Sequence, residues 1–220
     1  AAAPVTITVK GVLKLDGKVV LEDTTVGNVT YDVAETGTAS GAYTDLSTDA
    51  WYTPYTDYVI SAEVMTGSSD TTFNPYGTLT RAELVTILYR AAGSPDVTYD
   101  LSAFSDASGV PSWAENAMKW AVQEEIVQGD NGQLNSLRAI TRQELATILY
   151  RMAGSPQADG DLTAYPDAAS VATWAENAMS WSVEMGVING ADGKLSPAGN
   201  CLRVEAAKMI TVFLRDVAAV

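Results

Sequence analysis

The chain has 220 residues, with 27 acidic side chains against 13 basic ones and no histidine, so its formal charge is −14 and its pI is near 4.2. This acidity argues against nucleic-acid binding, because a protein that contacts phosphates needs a basic face. No apolar run reaches the length of about 18 residues that a membrane span requires. The missing histidines remove the commonest general base and metal ligand, and we expect neither a cofactor nor a metal site.

The first 38 residues have the composition of a small β segment. β-Branched runs at 5–9 and 19–21, with Asp16-Gly17 between them, are typical of a hairpin, and 26–33 could add a third strand. We interpret this segment as a β appendage or as the tail of an upstream domain. Its strand edges could pair with another chain and allow self-association. Residues 36–41 are predicted to be a linker.

From residue 42 the chain repeats itself three times with a period of 61 residues. Each copy carries an aspartate, a tryptophan, a glycine and an arginine at matching positions, although the first tryptophan and the first glycine each lie one residue early. These residues are Asp45, Trp51, Gly67 and Arg81, then Asp106, Trp113, Gly129 and Arg142, then Asp167, Trp174, Gly190 and Arg203. The agreement predicts one structural unit used three times, over residues 42–94, 103–155 and 164–218.

Each copy is predicted to fold as a helix, a loop and a second helix. Ser112 with Glu115, and the matching pair in the third copy, form the pattern of a capping box before an apolar stripe. Gly67, Gly129 and Gly190 are predicted to end the first helices in the left-handed conformation. Second capping boxes at 80–83 and 141–144 predict the second helices, which Gly-Ser-Pro sequences at 93–95 and 154–156 stop.

Several of these residues allow more than one role. The tryptophans at 51, 113 and 174 could stack on sugar faces or anchor the core, and the sequence does not favour either role. The aspartates at 45, 106 and 167 could accept sugar hydroxyls, but a role in capping the turn into the first helix is favoured. The glutamates at 83, 144 and 205 are interpreted as helix caps. Cys201, the only cysteine, is predicted to be a small buried apolar residue.

The repeated residues resemble those of the S-layer homology domain. The family pattern has an aromatic-x-Asp entry, Trp-Ala at a helix start, a glycine, a loop with Phe-x-Pro and then Thr-Arg-Ala-Glu. Residues 73–75 and 80–83 carry the last two elements in full. The third copy departs from the pattern, because Leu202 replaces the threonine before Arg203. The resemblance covers about residues 42–218 and leaves out the β segment.

The resemblance implies a mainly α fold in which the three repeats form one pseudo-three-fold helical unit. It also implies a secreted module at the cell surface that anchors a protein noncovalently to the bacterial cell wall. Its partner would be a secondary cell-wall polysaccharide with pyruvylated N-acetylmannosamine units, bound in grooves between repeats. The twelve repeated Asp, Trp, Gly and Arg residues would surround these grooves, with each guanidinium offering a planar fork to the pyruvyl carboxylate. The alternative for the arginines is a surface side chain paired with a neighbouring glutamate.

Two other functions compete with this hypothesis. The same fold could serve as a protein–protein assembly module of a surface layer or filament, with weak or lost glycan binding. A glycosidase with paired carboxylates is disfavoured, because the carboxylates already have structural explanations and no nucleophile elbow is present. Within the leading hypothesis, Leu202 removes a threonine cap worth about 1 kcal/mol. We therefore expect a looser helix start and a less well placed arginine at 203, and the weakest binding there.

Overall fold

The computed structural model describes residues 39–218 and the short backbone segments 5–7, 14–15, 18–19 and 29–31. Each repeat contributes two helices to the described part of the chain, as predicted. They are α1 (Thr53–Ser61), α2 (Arg81–Ala91), α3 (Glu115–Gln123), α4 (Arg142–Met152), α5 (Glu176–Glu184) and α6 (Arg203–Val212). A wider π-type turn at Phe213–Val217 extends α6, and 3₁₀ turns precede α3 and α5. The fold is therefore mainly α.

The described residues of the N-terminal segment form four short strands, whose pairing differs from the predicted hairpin. Strand β1 (Val5–Ile7) pairs antiparallel with β4 (Val29–Tyr31), and β2 (Lys14–Leu15) pairs antiparallel with β3 (Lys18–Val19). The run at 5–9 is thus paired with the predicted third strand and not with the run at 19–21. Asp16 and Gly17 lie outside the described residues.

The predicted linker is also partly wrong. Residues 36–38 lie outside the described residues, but Ala39–Ala42 form a 3₁₀ turn that packs on α1. The Ser40 hydroxyl is buried and lies 2.7 Å from the Thr56 hydroxyl, and the Ser40 N–H donates to Asp57. Residues 39–41 therefore belong to the helical unit and not to a linker.

The second helix of each repeat packs on the first helix of the next repeat, and the third repeat closes on the first. Helix α2 contacts α3, α4 contacts α5, and α6 contacts α1. One continuous apolar core runs through all three repeats, and its largest fully buried side chains include Phe73, Met118 and Phe213. A repeat has too little apolar surface to bury alone, so the closed ring is what makes a shared core.

Three backbone segments meet at the centre of this ring. Leu79, Ile140 and Cys201 lie exactly one period apart in the sequence, and all three are fully buried. The N–H of Leu79 donates to the Cys201 carbonyl at 3.0 Å, that of Ile140 to Leu79 at 2.8 Å, and that of Cys201 to Ile140 at 2.8 Å. Burial raises the pKa of the Cys201 thiol to about 12, so the prediction of a buried, unreactive cysteine is confirmed.

The capping predictions are confirmed for the second helices and wrong for the first. The Thr80 N–H donates to Glu83 and the Glu83 N–H to the Thr80 hydroxyl, and Thr141 with Glu144 does the same. The first helices α3 and α5 instead begin from a 3₁₀ turn without a side-chain cap hydrogen bond. The 3₁₀ turn supplies the first backbone bonds, so Ser112 is not needed as a cap.

Candidate functional site: three grooves between the repeats

Three surface grooves follow the pseudo-three-fold arrangement, and each takes residues from all three repeats. Groove A has a volume of about 330 Å³, and grooves B and C have volumes of about 290 Å³ each. In each groove one repeat provides the tryptophan, the next in the cycle the arginine and the third the glycine. The triplets are Trp174, Arg81 and Gly129 in groove A, Trp51, Arg142 and Gly190 in groove B, and Trp113, Arg203 and Gly67 in groove C.

The groove tryptophans are exposed. Trp51 and Trp113 are 56% exposed and Trp174 is 59% exposed, whereas Trp120 and Trp181 are buried in the core. Of the two roles that the sequence left open, anchoring the core is therefore excluded for the groove tryptophans. An indole ring that stays in water at the mouth of a groove is available to stack on a ligand.

The groove arginines are buried, with exposed fractions between 5% and 8%. The Nε of Arg81 donates to the Leu134 carbonyl at 3.0 Å, and the Nε of Arg142 donates to the Leu195 carbonyl at 2.9 Å. Each acceptor lies in the following repeat. Arg203 closes the cycle by donating to the Phe73 carbonyl at 2.8 Å. The arginines thus tie neighbouring repeats together, which the sequence did not indicate.

Each arginine also pairs with the capping glutamate of the following repeat. The Nη1 to Oε1 distance is 3.4 Å from Arg81 to Glu144, 2.8 Å from Arg142 to Glu205 and 3.5 Å from Arg203 to Glu83. The predicted role of the glutamates as helix caps is confirmed, because each accepts the N–H of the residue before its helix. The same carboxylates neutralise the buried guanidinium groups.

The environment of Glu144 keeps its carboxyl group ionised although the side chain is largely buried. Burial alone would raise the pKa of Glu144, but hydrogen bonds from Arg138 and Thr141 and the charge of Arg81 outweigh burial and lower it. A carboxylate with a lowered folded-state pKa stabilises the fold above its unfolded-state pKa and loses that contribution as the pH falls through the folded value. The network around Arg81 therefore holds at neutral pH and weakens in acid.

The expectation that Arg203 is less well placed is wrong. Leu202 lacks a cap oxygen, yet its N–H still donates to Glu205 at 2.9 Å and α6 begins at the same position as α2 and α4. The Arg203 guanidinium lies 4.8 Å from the Phe73 ring centroid, and its Nη2 donates to the Thr66 carbonyl at 2.6 Å. The remaining Leu202–Glu205 hydrogen bond and the added contacts of Arg203 compensate for the missing threonine.

The aspartates have a different role from the favoured one. Asp106 and Asp167 precede 3₁₀ turns without capping them through their side chains. Both carboxylate oxygens of Asp45 accept backbone N–H groups of residues 73 and 74 at 2.7 Å, and Asp106 and Asp167 hold the equivalent loops. Burial would raise the pKa of Asp167, but these hydrogen bonds lower it. The aspartates therefore fix the loop that leads to the second helix.

The glycines do not end the first helices, because α1, α3 and α5 end several residues earlier. They are required by a close approach to the aromatic residue that opens each repeat. A Cβ atom at Gly129 would lie 2.7 Å from Cε1 of Phe104, and one at Gly190 would lie 2.9 Å from Cε1 of Tyr165. Gly129 and Gly190 also have positive φ angles of 75° and 76°, which glycine adopts without strain.

Each groove contains a second cation that sequence reasoning missed. Arg151 lines groove A, Lys208 groove B and Arg90 groove C. Within the part of the chain that the structure describes, none of the three forms an ion pair. Arg90 and Arg151 lie one period apart in the last turns of α2 and α4, so a search for repeated basic residues would have found them. Lys208 lies one turn earlier in α6 and breaks the pattern.

Residues 39–218 contain no group of three or more acidic or cysteine side chains placed to hold a metal ion. No described helix has the length and apolar character needed to cross a bilayer. Each groove thus presents an exposed aromatic ring, two basic side chains and the glutamate that pairs with the groove arginine. Such a surface can bind a carbohydrate that carries a carboxylate.

The chain is similar to known proteins over its repeats. The S-layer homology domain matches residues 42–85, 103–146 and 164–207, more than half of the chain. Over 167 residues, 74% of the chain, it is 29% identical to an amylopullulanase of Thermoanaerobacterium thermosulfurigenes and to the exoglucanase XynX of Acetivibrio thermocellus. Over 113 residues, 50% of the chain, it is 35% identical to the surface-layer 125 kDa protein of Lysinibacillus sphaericus. The matches cover only 9%, 15% and 10% of those proteins.

Proposed function

Because the chain belongs to the S-layer homology family, whose domains anchor proteins to the cell wall, we propose that grooves A, B and C bind a secondary cell-wall polysaccharide. The ligand would be a pyruvylated amino sugar of that polymer, and the protein would be held noncovalently at the bacterial cell surface. The observation that carries this proposal is an exposed tryptophan beside a basic side chain that forms no ion pair with a described residue, and it occurs in each of the three grooves. The enzymatic names of two relatives belong to proteins of which this chain matches only a small part, and no catalytic role is proposed.

Different side chains of each groove would bind different parts of the ligand. The exposed indole would stack on the apolar face of the sugar, and the second cation would meet the pyruvyl carboxylate. In Arg81 and Arg142 the Nη2 group has no hydrogen bond to a described residue, so it would remain available to the ligand as well. The glycines and aspartates would act by shaping the loop that borders the sugar.

The negative charge of the protein does not prevent binding of an anionic polymer. At physiological salt the Debye length is about 8 Å, so distant surface carboxylates are largely screened. The local charge in each groove decides the interaction. At Lys208, for example, burial and the nearby charge of Arg142 lower the pKa, whereas the charge of Glu205 opposes them.

The proposed function is tested with purified cell-wall sacculi before and after removal of the secondary polymer. The native chain should sediment with untreated sacculi and stay in solution with stripped ones. A chain with Trp51→Ala, Trp113→Ala and Trp174→Ala should lose sacculus binding and keep its melting temperature, because these rings are exposed. Unchanged sedimentation of the triple variant would contradict the proposal, and self-assembly without sacculus binding would support the assembly module instead.

The three grooves should differ in affinity, with groove C the weakest. The Nη2 of Arg203 is already bonded to the Thr66 carbonyl, whereas the same group is available in grooves A and B. Loss of one charge-assisted hydrogen bond costs roughly 1.5–3 kcal/mol. Calorimetry with a single pyruvylated sugar should therefore show two tighter sites, and Trp113→Ala should remove the weak one. If Trp113→Ala instead removes the tightest site, the ranking is wrong.

A further inference from the structure

The first repeat has a row of aromatic rings beside groove B. The centroids of Trp51 and Tyr52 are 5.6 Å apart, and those of Tyr52 and Tyr76 are 6.2 Å apart, both in edge-on geometry. Trp51 is 56% exposed and Tyr76 is 65% exposed, whereas Tyr52 between them is buried. Two exposed rings, Trp51 in groove B and Tyr76 beside it, thus both pack against the buried ring of Tyr52.

Equivalent positions in the other repeats lack this row. Tyr52 immediately precedes α1, and the residues that precede α3 and α5 are Ala114 and Ala175. One period after Tyr76 the sequence has Leu137, and after two periods it has Ala198. The aromatic row therefore distinguishes groove B from grooves A and C, whose tryptophans have no such neighbours.

The loop that carries Tyr76 is fixed on both sides. The Asn74 N–H donates to Asp45 at 2.7 Å, and the Gly77 N–H donates to the Asn74 carbonyl at 3.0 Å. The Pro75 carbonyl accepts the N–H of Val204, which lies in the third repeat, at 3.1 Å. An exposed ring on a pinned loop loses little conformational freedom when a ligand stacks on it, and this favours binding.

We propose that Tyr76 forms an additional stacking subsite, in which groove B holds one charged sugar and Tyr76 contacts the neighbouring sugar of the same polysaccharide chain. This inference rests on the proposed function of the grooves. Because Trp51 and Tyr76 contact the same ring, Tyr76 lies close to the groove, and the next sugar of a polymer bound at Trp51 is the ligand within its reach. The flat rings suit the apolar face of a pyranose.

The subsite is tested in a chain in which only groove B keeps its tryptophan, made by Trp113→Ala and Trp174→Ala. The remaining tryptophans besides Trp51 are buried, so the fluorescence change on binding reports groove B. The probes are a pyruvylated N-acetylmannosamine methyl glycoside and size-selected oligosaccharides released from purified cell-wall polysaccharide. Tyr76→Ala should weaken oligosaccharide binding about three- to tenfold and change monosaccharide binding by less than about twofold, as expected for one lost aromatic contact.

Conservative and matched variants separate this role from a general loss of structure. Tyr76→Phe should bind the oligosaccharide like the parent chain, because it keeps the ring. In a chain with only groove C intact, made by Trp51→Ala and Trp174→Ala, the matched Leu137→Ala should change the binding of neither probe. If Tyr76→Ala binds the oligosaccharide like the parent chain, the proposed subsite is contradicted, but the proposed function of groove B is not. If adding Trp51→Ala to the groove B chain leaves monosaccharide binding unchanged by calorimetry, which does not depend on the Trp51 fluorescence, the groove itself fails.

Discussion

A chain that ends at residue 156 should fail to fold cooperatively, although it keeps two complete repeats. The deletion removes α6 from α1 and α5 from α4, so both free ends of the ring lose their packing partner. Helix α6 alone buries Val204, Met209, Ile210 and Val212. At about 1.5–3 kcal/mol for each such side chain, the loss is roughly 6–12 kcal/mol. That amount equals most of the stability of a typical domain, which is about 5–15 kcal/mol.

Circular dichroism and tryptophan fluorescence would measure this effect. Trp120 is buried and packs on Tyr89 with ring centroids 5.7 Å apart, so its emission should shift to the red in the truncated chain. Addition of a separately prepared 157–220 fragment is the matched control, and it should restore a cooperative melt. A truncated chain that melts cooperatively at the native temperature would show that two repeats suffice and that the ring is not needed.

Most of the fold could be predicted from the repeat period, because equivalent residues of the three repeats have the same structural environment. The threonine caps at 80 and 141 and the burial of Leu84 and Leu145 follow directly from local sequence patterns. Local sequence patterns could not predict the closure of the ring. It depends on backbone bonds between residues 61 or 122 positions apart, such as those among Leu79, Ile140 and Cys201.

The tryptophans, arginines and glycines predicted for the site line the grooves, whereas the aspartates do not, and several structural roles differ from the predicted ones. Gly129 looked like a helix terminator because glycine is common there, whereas it accommodates the Phe104 ring. Asp106 looked like a cap for the nearby turn, whereas it bonds a loop 28 and 29 residues away. Both roles depend on contacts between distant segments, which local patterns do not encode. Lys208 was missed because it stands outside the repeated register.

Arg142→Ala should destabilise the protein and not only weaken its ligand binding. The sequence favoured a ligand-binding role for this arginine, but the residue is only 6% exposed and bonds Leu195 and Glu205 of the third repeat. Removal of one partner of a buried ion pair typically costs 3–5 kcal/mol. Because the Glu205 side chain is 21% exposed and partly screened, we expect a loss of about 2–4 kcal/mol. Arg142→Lys should also destabilise, since an ammonium lacks the fork that reaches both acceptors.

Cys201 provides the measurement for this prediction. Its thiol is buried at the centre of the ring, so it should react with a thiol reagent only when the ring opens. Arg142→Ala should lower the denaturation midpoint and speed the labelling of Cys201, whereas Trp51→Ala in the same groove should change neither. Both variants should bind sacculi less well, so only the denaturation midpoint and the labelling rate of Cys201 distinguish them. If Arg142→Ala keeps the native midpoint and labelling rate while sacculus binding is lost, the arginine serves the ligand alone, and the bonds between repeats contribute little to closing the ring.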